Sequence, residues 1–174
     1  MLSTEVDHVS AYALGIESGT KLASRVRRGL LPDPSDDEAA DRYLIADSVL
    51  GDAGFEWYEI SNWSLGPAAR CRHNLLYWRN HDWWGIGPGA HSHIAGTRWW
   101  NVTDTDGWVD AALRGAGVVA GHEHLDDEQR RIETVMLGIR LAEGLPLPCG
   151  RRLVLTTQGR LRADSGVRRL LDQP

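Results

Sequence analysis

The chain has 174 residues, 42% hydrophobic and 25% charged, enough for about one soluble domain with a sizeable core and too few for two full-sized ones. Its formal net charge of -5 gives no general attraction for nucleic acid or an anionic membrane. No run of about 18 apolar residues is present to span a bilayer, and Met1-Leu2-Ser3-Thr4-Glu5-Val6-Asp7 lacks the basic start and apolar stretch of a secretory signal, so a cytosolic protein is expected.

His8 to Leu14 reads as a buried strand that Gly15 and Gly19 terminate. Thr20 to Arg28 predicts a short basic helix stopped by Gly29, and Pro32 and Pro34 hold an extended link. Ser35 with Glu38 has the spacing of a capping box, and Ala39, Tyr43, Ala46 and Leu50 recur at helical spacing up to Gly54. Phe55 to Ile60 has strand composition, so this part of the chain predicts a βαβ unit with parallel strands and a right-handed crossover. Two parallel strands cannot cover both faces of a sheet. The unit therefore reads as the end of a larger sheet, whose second strand is expected to show an unpaired edge or exposed apolar face, with poor solubility or self-association as the consequence.

From Asn62 to Val102 the pattern predicts short strands and turns, broken at Gly66-Pro67, at Arg79-Asn80-His81-Asp82 and between Gly85 and Gly89. A helix follows from Thr105 to Leu113. Asp126 with Gln129 opens another, whose apolar stripe is Ile132, Val135, Met136 and Ile139. Pro146 and Pro148 break the chain, Arg151 to Leu155 reads as a strand, and Thr156 or Thr157 caps a last helix carrying Leu161, Ala163, Val167, Leu170 and Leu171.

The chemistry concentrates in the middle third, where all eight tryptophans lie between Trp57 and Trp108. His73-Asn74-Leu75-Leu76-Tyr77-Trp78 places an imidazole, a carboxamide and two large aromatics together. A neutral imidazole is a good axial ligand for haem iron, the rings of Tyr77, Trp78, Trp83 and Trp84 offer faces for a porphyrin, and Arg70 and Arg72 suit its propionates. The bland alternative is a histidine hydrogen-bonded in an aromatic core. Cys71 shares a side with His73 if the segment is extended, as a competing thiolate ligand or as a small buried hydrophobe.

Gly85-Ile86-Gly87-Pro88-Gly89-Ala90 is not a dinucleotide-binding loop, because Pro88 removes an amide donor and no long helix follows. It either brings backbone close to a ligand or makes a tight turn beside the tryptophans. His91 and His93 share one face of a strand, and His81, or His122 with His124, would be needed to complete a zinc set. The acidic runs Asp33 to Asp41 and Asp126 to Glu128 read as helix N-termini. Cys71 and Cys149 are too few for a Cys-x-x-Cys zinc ribbon or a three-cysteine iron-sulfur motif.

With these motifs in view, and with Asp7-His8-Val9-Ser10-Ala11-Tyr12-Ala13-Leu14, the chain resembles the HemW family of haem chaperones, radical SAM proteins related to oxygen-independent coproporphyrinogen III oxidase. The likeness runs from Asp7 to Pro146 and resumes from Arg152 to Leu171. It implies an α/β fold: residues 1–102 as the C-terminal part of a partial (β/α) radical SAM barrel, and residues 103–174 as a small, shortened α+β C-terminal domain of helical or winged type. It also implies haem binding at His73, Asn74, Tyr77, Trp78 and Cys71, with His73 as the iron ligand, and Gly87, Gly89 and Ala90 lining a cofactor pocket.

The family's Cys-x-x-x-Cys-x-x-Cys motif is absent from this chain, which the resemblance places after it. The [4Fe-4S] cluster and S-adenosylmethionine of the full-length family are therefore not expected to bind this chain alone. The implied role is a haem-binding, non-catalytic portion of a haem chaperone. Its partners are haem or a porphyrin, a missing N-terminal barrel half and an unspecified haem-receiving protein. The alternatives are part of a coproporphyrinogen-oxidising enzyme and an inert truncated remnant.

Overall fold

The computed structural model describes residues 5–171. The chain divides into two compact units, Met1–Arg70 and Cys71–Pro174. This boundary falls earlier than the one drawn after residue 102, because residues 91–101 pair with a strand at Val119–His124 and so join the second unit.

In the first unit, β1 (His8–Ser10) is followed by α1 (Lys21–Arg27), α2 (Asp36–Asp52), β2 (Glu56–Glu59) and β3 (Asn62–Ser64). Thr20 caps α1 by accepting from the Ala23 amide. Ser35 caps α2 by accepting from the Glu38 amide, while the Glu38 carboxylate pairs forward with Arg42. Asp36, Asp37 and Glu38 occupy the first turn of α2, where the helix dipole favours negative charge.

The sheet order is β1-β3-β2, and both pairings are antiparallel. The two strands of the expected βαβ unit are therefore not hydrogen-bonded to each other. β1 and β2 do run the same way, but the tight β2–β3 hairpin inserts β3 between them, with Val9 and Trp57 both opposite Trp63. One face of this sheet packs on α2, where Trp63, Leu50 and Phe55 form the core with Val9, Ala11, Tyr43 and Trp57 around them. The Trp63 indole N–H donates to Asp47 at 2.8 Å. The far side of α2 leaves Ile45 and Val49 exposed, whereas on the second strand, where an exposed apolar face is expected, Trp57 is half-buried and Tyr58 buried.

The other sheet face is polar, buried along β3 and open at Ser10 and Glu56. His8 Nε2 meets the Tyr58 hydroxyl at 2.8 Å, Ser10 donates to the Asn62 carboxamide oxygen, and the Asn62 amide donates to Glu59 and to the Tyr12 hydroxyl. Glu59, Asn62 and Ser64 are fully buried. The hydrogen bonds among these side chains offset the cost of removing them from water.

The second unit contains α3 (Arg72–Trp78), β4 (His91–Ile94), β5 (Thr97–Asn101), α4 (Thr105–Leu113), β6 (Val119–His124), α5 (Asp127–Gly138), β7 (Leu145–Pro146), β8 (Arg152–Leu153), α6 (Thr157–Arg160) and α7 (Ala163–Leu171). β4, β5 and β6 form an antiparallel sheet in that order. Asp126 and Gln129 make the reciprocal capping box at α5, and Thr156 caps α6. The last helix is split after Arg160, and α7 buries Ala163 and Val167 while α5 contributes Ile139 through its C-cap. Arg98 on β5 reaches Glu133 of α5 at 2.6 Å and Glu123 of β6 at 2.8 Å, clasping helix to sheet.

The β4–β5 turn is Ala95-Gly96, with φ of 50° and 79°, the two left-handed positions of a type I′ hairpin. Ala95 adopts this conformation at a steric cost that Asn would reduce. Ala95→Asn is expected to raise the stability of the second unit by about 1 kcal/mol; no rise in its denaturant midpoint would contradict the turn assignment. Trp63→Ala is expected to cost the first unit roughly 3–5 kcal/mol, read as a lowered midpoint in chemical denaturation.

Candidate functional site

The His73-Asn74-x-x-Tyr77-Trp78 segment is helix α3, rather than part of the strand-and-turn region predicted from sequence. A 3₁₀ turn at Pro67–Ala69 precedes it, and Cys71 is its N-cap residue. Cys71 therefore does not share an extended face with His73, which corrects that expectation. The helix ends in a Schellman arrangement: Asn80 has φ 51°, its amide donates to the Tyr77 carbonyl at 3.0 Å, and the His81 amide donates to the Leu76 carbonyl at 2.9 Å. Arg79 then makes a paired 3.0 Å contact with the Glu143 carboxylate, fixing the C-terminal end of the helix.

Residues four apart share a helix face, so the motif presents two faces about a hundred degrees apart. On one, the exposed His73 imidazole packs edge-on against Tyr77 at 4.8 Å between ring centroids. Tyr77 packs edge-on against Trp83 at 4.9 Å, and Trp83 lies 4.9 Å from His93. These four rings form a ladder from an exposed imidazole to a buried one. On the other face, Trp78 lines a cleft of about 270 Å³ with Thr134 and Gly138 of α5 and Leu145 of β7. The structure therefore brings His73 together with Tyr77 and Trp83, and directs Trp78 to a separate cleft.

The ladder depends on backbone pairing between Trp83 and His93, whose amides and carbonyls exchange bonds of 2.8 and 3.0 Å. Trp83 thus joins the second sheet beside β4. Side chains alternate across such a strand, so Trp83 turns toward Tyr77 while Trp84 packs on Trp99 at 5.3 Å. His91 shares the His93 face and stacks on Trp100 at 5.9 Å. Trp100 lies across Gly121, where a Cβ would come within 2.6 Å of its ring.

The glycine-rich loop is a structural strap whose backbone is bonded internally. A Cβ at Gly85 would lie 2.0 Å from the His91 carbonyl oxygen. The Gly85 amide donates to the fully buried Ser92 hydroxyl at 2.9 Å. The Gly89 amide donates to the Val102 carbonyl at 2.8 Å, and the Asn101 amide group donates to the Gly87 carbonyl at 2.9 Å. Gly87 and Gly89 have φ of 112° and 66°, so they are required by the path of the loop. Gly87, Gly89 and Ala90 are half-buried. Pro88 is exposed, and beside the loop Trp84 and Ile86 are exposed as well.

Among the described residues no group of three or more histidines, cysteines or carboxylates converges as a metal site. The zinc alternative fails because the strand register separates its histidines: His93 is buried behind Trp83, whereas His124 bonds Thr97 on the opposite sheet face. Arg70 is engaged by Glu56 and the ring of Tyr58 in the first unit, while Arg72 on α3 is exposed. His93 is the residue that sequence reasoning undervalued. It is 4% exposed, its Nδ1 faces the His81 carbonyl at 3.4 Å, and its Nε2 is buried without a hydrogen-bond partner. Its period-two spacing from His91 was legible, but its pairing with Trp83 was not.

No family model matches the chain. The protein named heme chaperone HemW from Mycobacterium tuberculosis (strain ATCC 25618 / H37Rv) is 48% identical over 187 residues, covering 95% of this chain and 48% of that protein. Heme chaperone HemW from Synechocystis is 37% identical over 79% of this chain and 34% of its own length. The mitochondrial radical S-adenosyl methionine domain-containing protein 1 of Danio rerio is 36% identical over 80% of this chain and 33% of its own length. The chain thus spans about half, or less, of these curated relatives. Among solved structures, coproporphyrinogen III oxidase (HemN) from Escherichia coli, a radical SAM enzyme, matches with a TM-score of 0.50 and 16% identity over 80% of this chain and 31% of that one. That likeness supports the mixed α/β fold as part of a radical SAM architecture. The chain belongs to the HemW family, related to oxygen-independent coproporphyrinogen III oxidase, and corresponds to part of such a protein.

Proposed function

We propose that the second unit binds haem or a related porphyrin, as a haem-interacting portion of a haem chaperone. The observation that carries this reading is the His73-Tyr77-Trp83 ladder, which presents an exposed imidazole beside aromatic rings. A porphyrin supplies four ligands to its iron, so one accessible imidazole suffices where a bare metal ion would need a converging set. The aromatic rings supply apolar contact, and Arg72 supplies a guanidinium for a propionate. Trp78, in its cleft against α5, is assigned to holding α3 in place, Asn74 and Cys71 remain candidate haem contacts, and Gly87, Gly89 and Ala90 shape the strap beside β4.

The residues do not fit a radical SAM cluster. Cys71 caps α3 and Cys149 is exposed in the β7–β8 turn, and two thiols cannot supply the three thiolates that such a cluster requires. We therefore assign this chain no radical step of its own. Residues 1–102 are taken as barrel-derived and 103–174 as the C-terminal region, a division by descent that differs from the compact units. No helix among the described residues is long and apolar enough to cross a membrane. A cytoplasmic setting, haem as cargo and a protein acceptor complete the proposal.

Haemin titration followed at the Soret band tests the reading. Hydrogen bonds from the Arg151 backbone and side chain hold the exposed Cys149 thiol below its usual range. This raises its thiolate fraction at neutral pH and makes it a competing iron ligand, so the titration is run in a Cys149→Ser background. A saturable one-to-one endpoint is expected, with affinity falling at least tenfold, about 1.4 kcal/mol, in His73→Ala. Non-saturating curves, or curves identical for both proteins, would refute the ladder as a haem site.

A further inference from the structure

His93 has the arrangement of a ligand-bearing imidazole held in reserve. Its ring is 4% exposed, and Nδ1 faces the His81 carbonyl at 3.4 Å. A proton on Nδ1 donated there leaves the lone pair on Nε2, which is buried with no hydrogen-bond partner. Buried polar atoms in folded proteins are nearly always paired, and an exception asks for a ligand or a function. Trp83 packs against this ring at 4.9 Å and is itself half-exposed, so part of the cover over the inner imidazole is an indole that also faces solvent.

We propose that His93 is a latent axial ligand for haem iron, covered by Trp83, with His73 serving as the outer point of capture. The inference rests on the haem-binding reading and specifies which imidazole retains the cargo. Histidines that ligate metals characteristically donate their second ring N–H to a carbonyl or carboxylate, which fixes the tautomer and strengthens the donor. His93 has such a carbonyl partner, whereas His73 is held by ring packing on Tyr77. The chemistry selects haem over a bare divalent ion, because one imidazole completes a porphyrin-bound iron and no three-donor set is present among the described residues. Tyr77 and Trp83 line the route from one imidazole to the other, and displacing the Trp83 indole exposes Nε2.

The test uses the full chain in the Cys149→Ser background, labelled with nitrogen-15 histidine and loaded with natural-abundance haemin. Electron-nuclear double resonance then distinguishes histidine nitrogen from porphyrin nitrogen on the ferric iron. His73→Ala is expected to slow haemin capture at least tenfold, which accounts for its loss of affinity, while the bound complex keeps its histidine-nitrogen coupling. His93→Phe, which keeps a ring against Trp83, is expected to lose that coupling. Trp83→Ala leaves both histidines in place and is expected to speed capture severalfold, so it serves as the second variant if His93→Phe does not fold. Coupling lost in His73→Ala but kept in His93→Phe would overturn the inference while leaving haem binding intact. Coupling kept in both variants would assign another histidine and also overturn it, as would unchanged capture in Trp83→Ala. Absence of a saturable complex in the parent chain would overturn the haem-binding reading and this inference together.

Discussion

Backbone pairing between Trp83 and His93 is the constraint on which the second unit's candidate site depends. Two hydrogen bonds dock the segment after α3 onto β4, and the two-residue period of a strand then decides where each neighbouring ring points. Trp83 is committed to the α3 side and Trp84 to the opposite face, against Trp99. A shift of one residue would exchange them, turning Trp83 away from Tyr77 and Trp84 away from Trp99. The site is therefore a consequence of register before it is a consequence of residue type.

Register needs reinforcement, because a single isolated bridge is a weak fixture. The reinforcement comes from both ends of the Trp83 segment. On the helix side, Asn80 in the left-handed conformation turns the chain out of α3, and its amide group reaches Glu133 of α5. That same carboxylate takes Arg98 from β5, so one half-buried acid ties helix cap, sheet and α5 together. On the loop side, the Asp82 carboxylate accepts from the Ala95 amide at 2.9 Å in the hairpin turn, while Ser92 holds Gly85. The glycine-rich strap that resembles a ligand loop in sequence commits its Gly85, Gly89 and Ala90 amides to this internal bracing.

This also explains which features were legible in the sequence. Helix starts were legible because capping is local: Thr20, Ser35, Asp126 and Thr156 each accept from an amide three residues on, and Thr105–Leu113 forms as its composition predicts. Strand partners were not, because pairing is decided by residues far apart in the chain. The β2–β3 hairpin displaced the expected parallel neighbour of β1, and Val119–His124, too polar to read as a strand, acquires that structure by bonding to β5. The His73 motif was recognisable as a composition, but its seven-residue helix was not. With no side-chain hydrogen bond at its N-cap, α3 relies on tertiary fixtures such as Arg79 on Glu143, since so short a helix is marginal by itself.

Under the haem-binding proposal, the two histidines at the ends of the ladder would answer to opposed requirements. A protein that passes a bound group onward must let it arrive from solvent and must also hold it until an acceptor competes for it. One exposed imidazole captures readily but is poorly oriented, while one buried and oriented imidazole retains well but is slow to reach. Placing them at the two ends of a Tyr-Trp pair separates the two demands along a single path. The indole between them is half-exposed and its backbone is held by pairing with His93, so on this proposal a rotation of its side chain would leave the sheet in place. Access to the inner position would then depend on one side chain's rotation, a much smaller rearrangement than unfolding the sheet that orients His93.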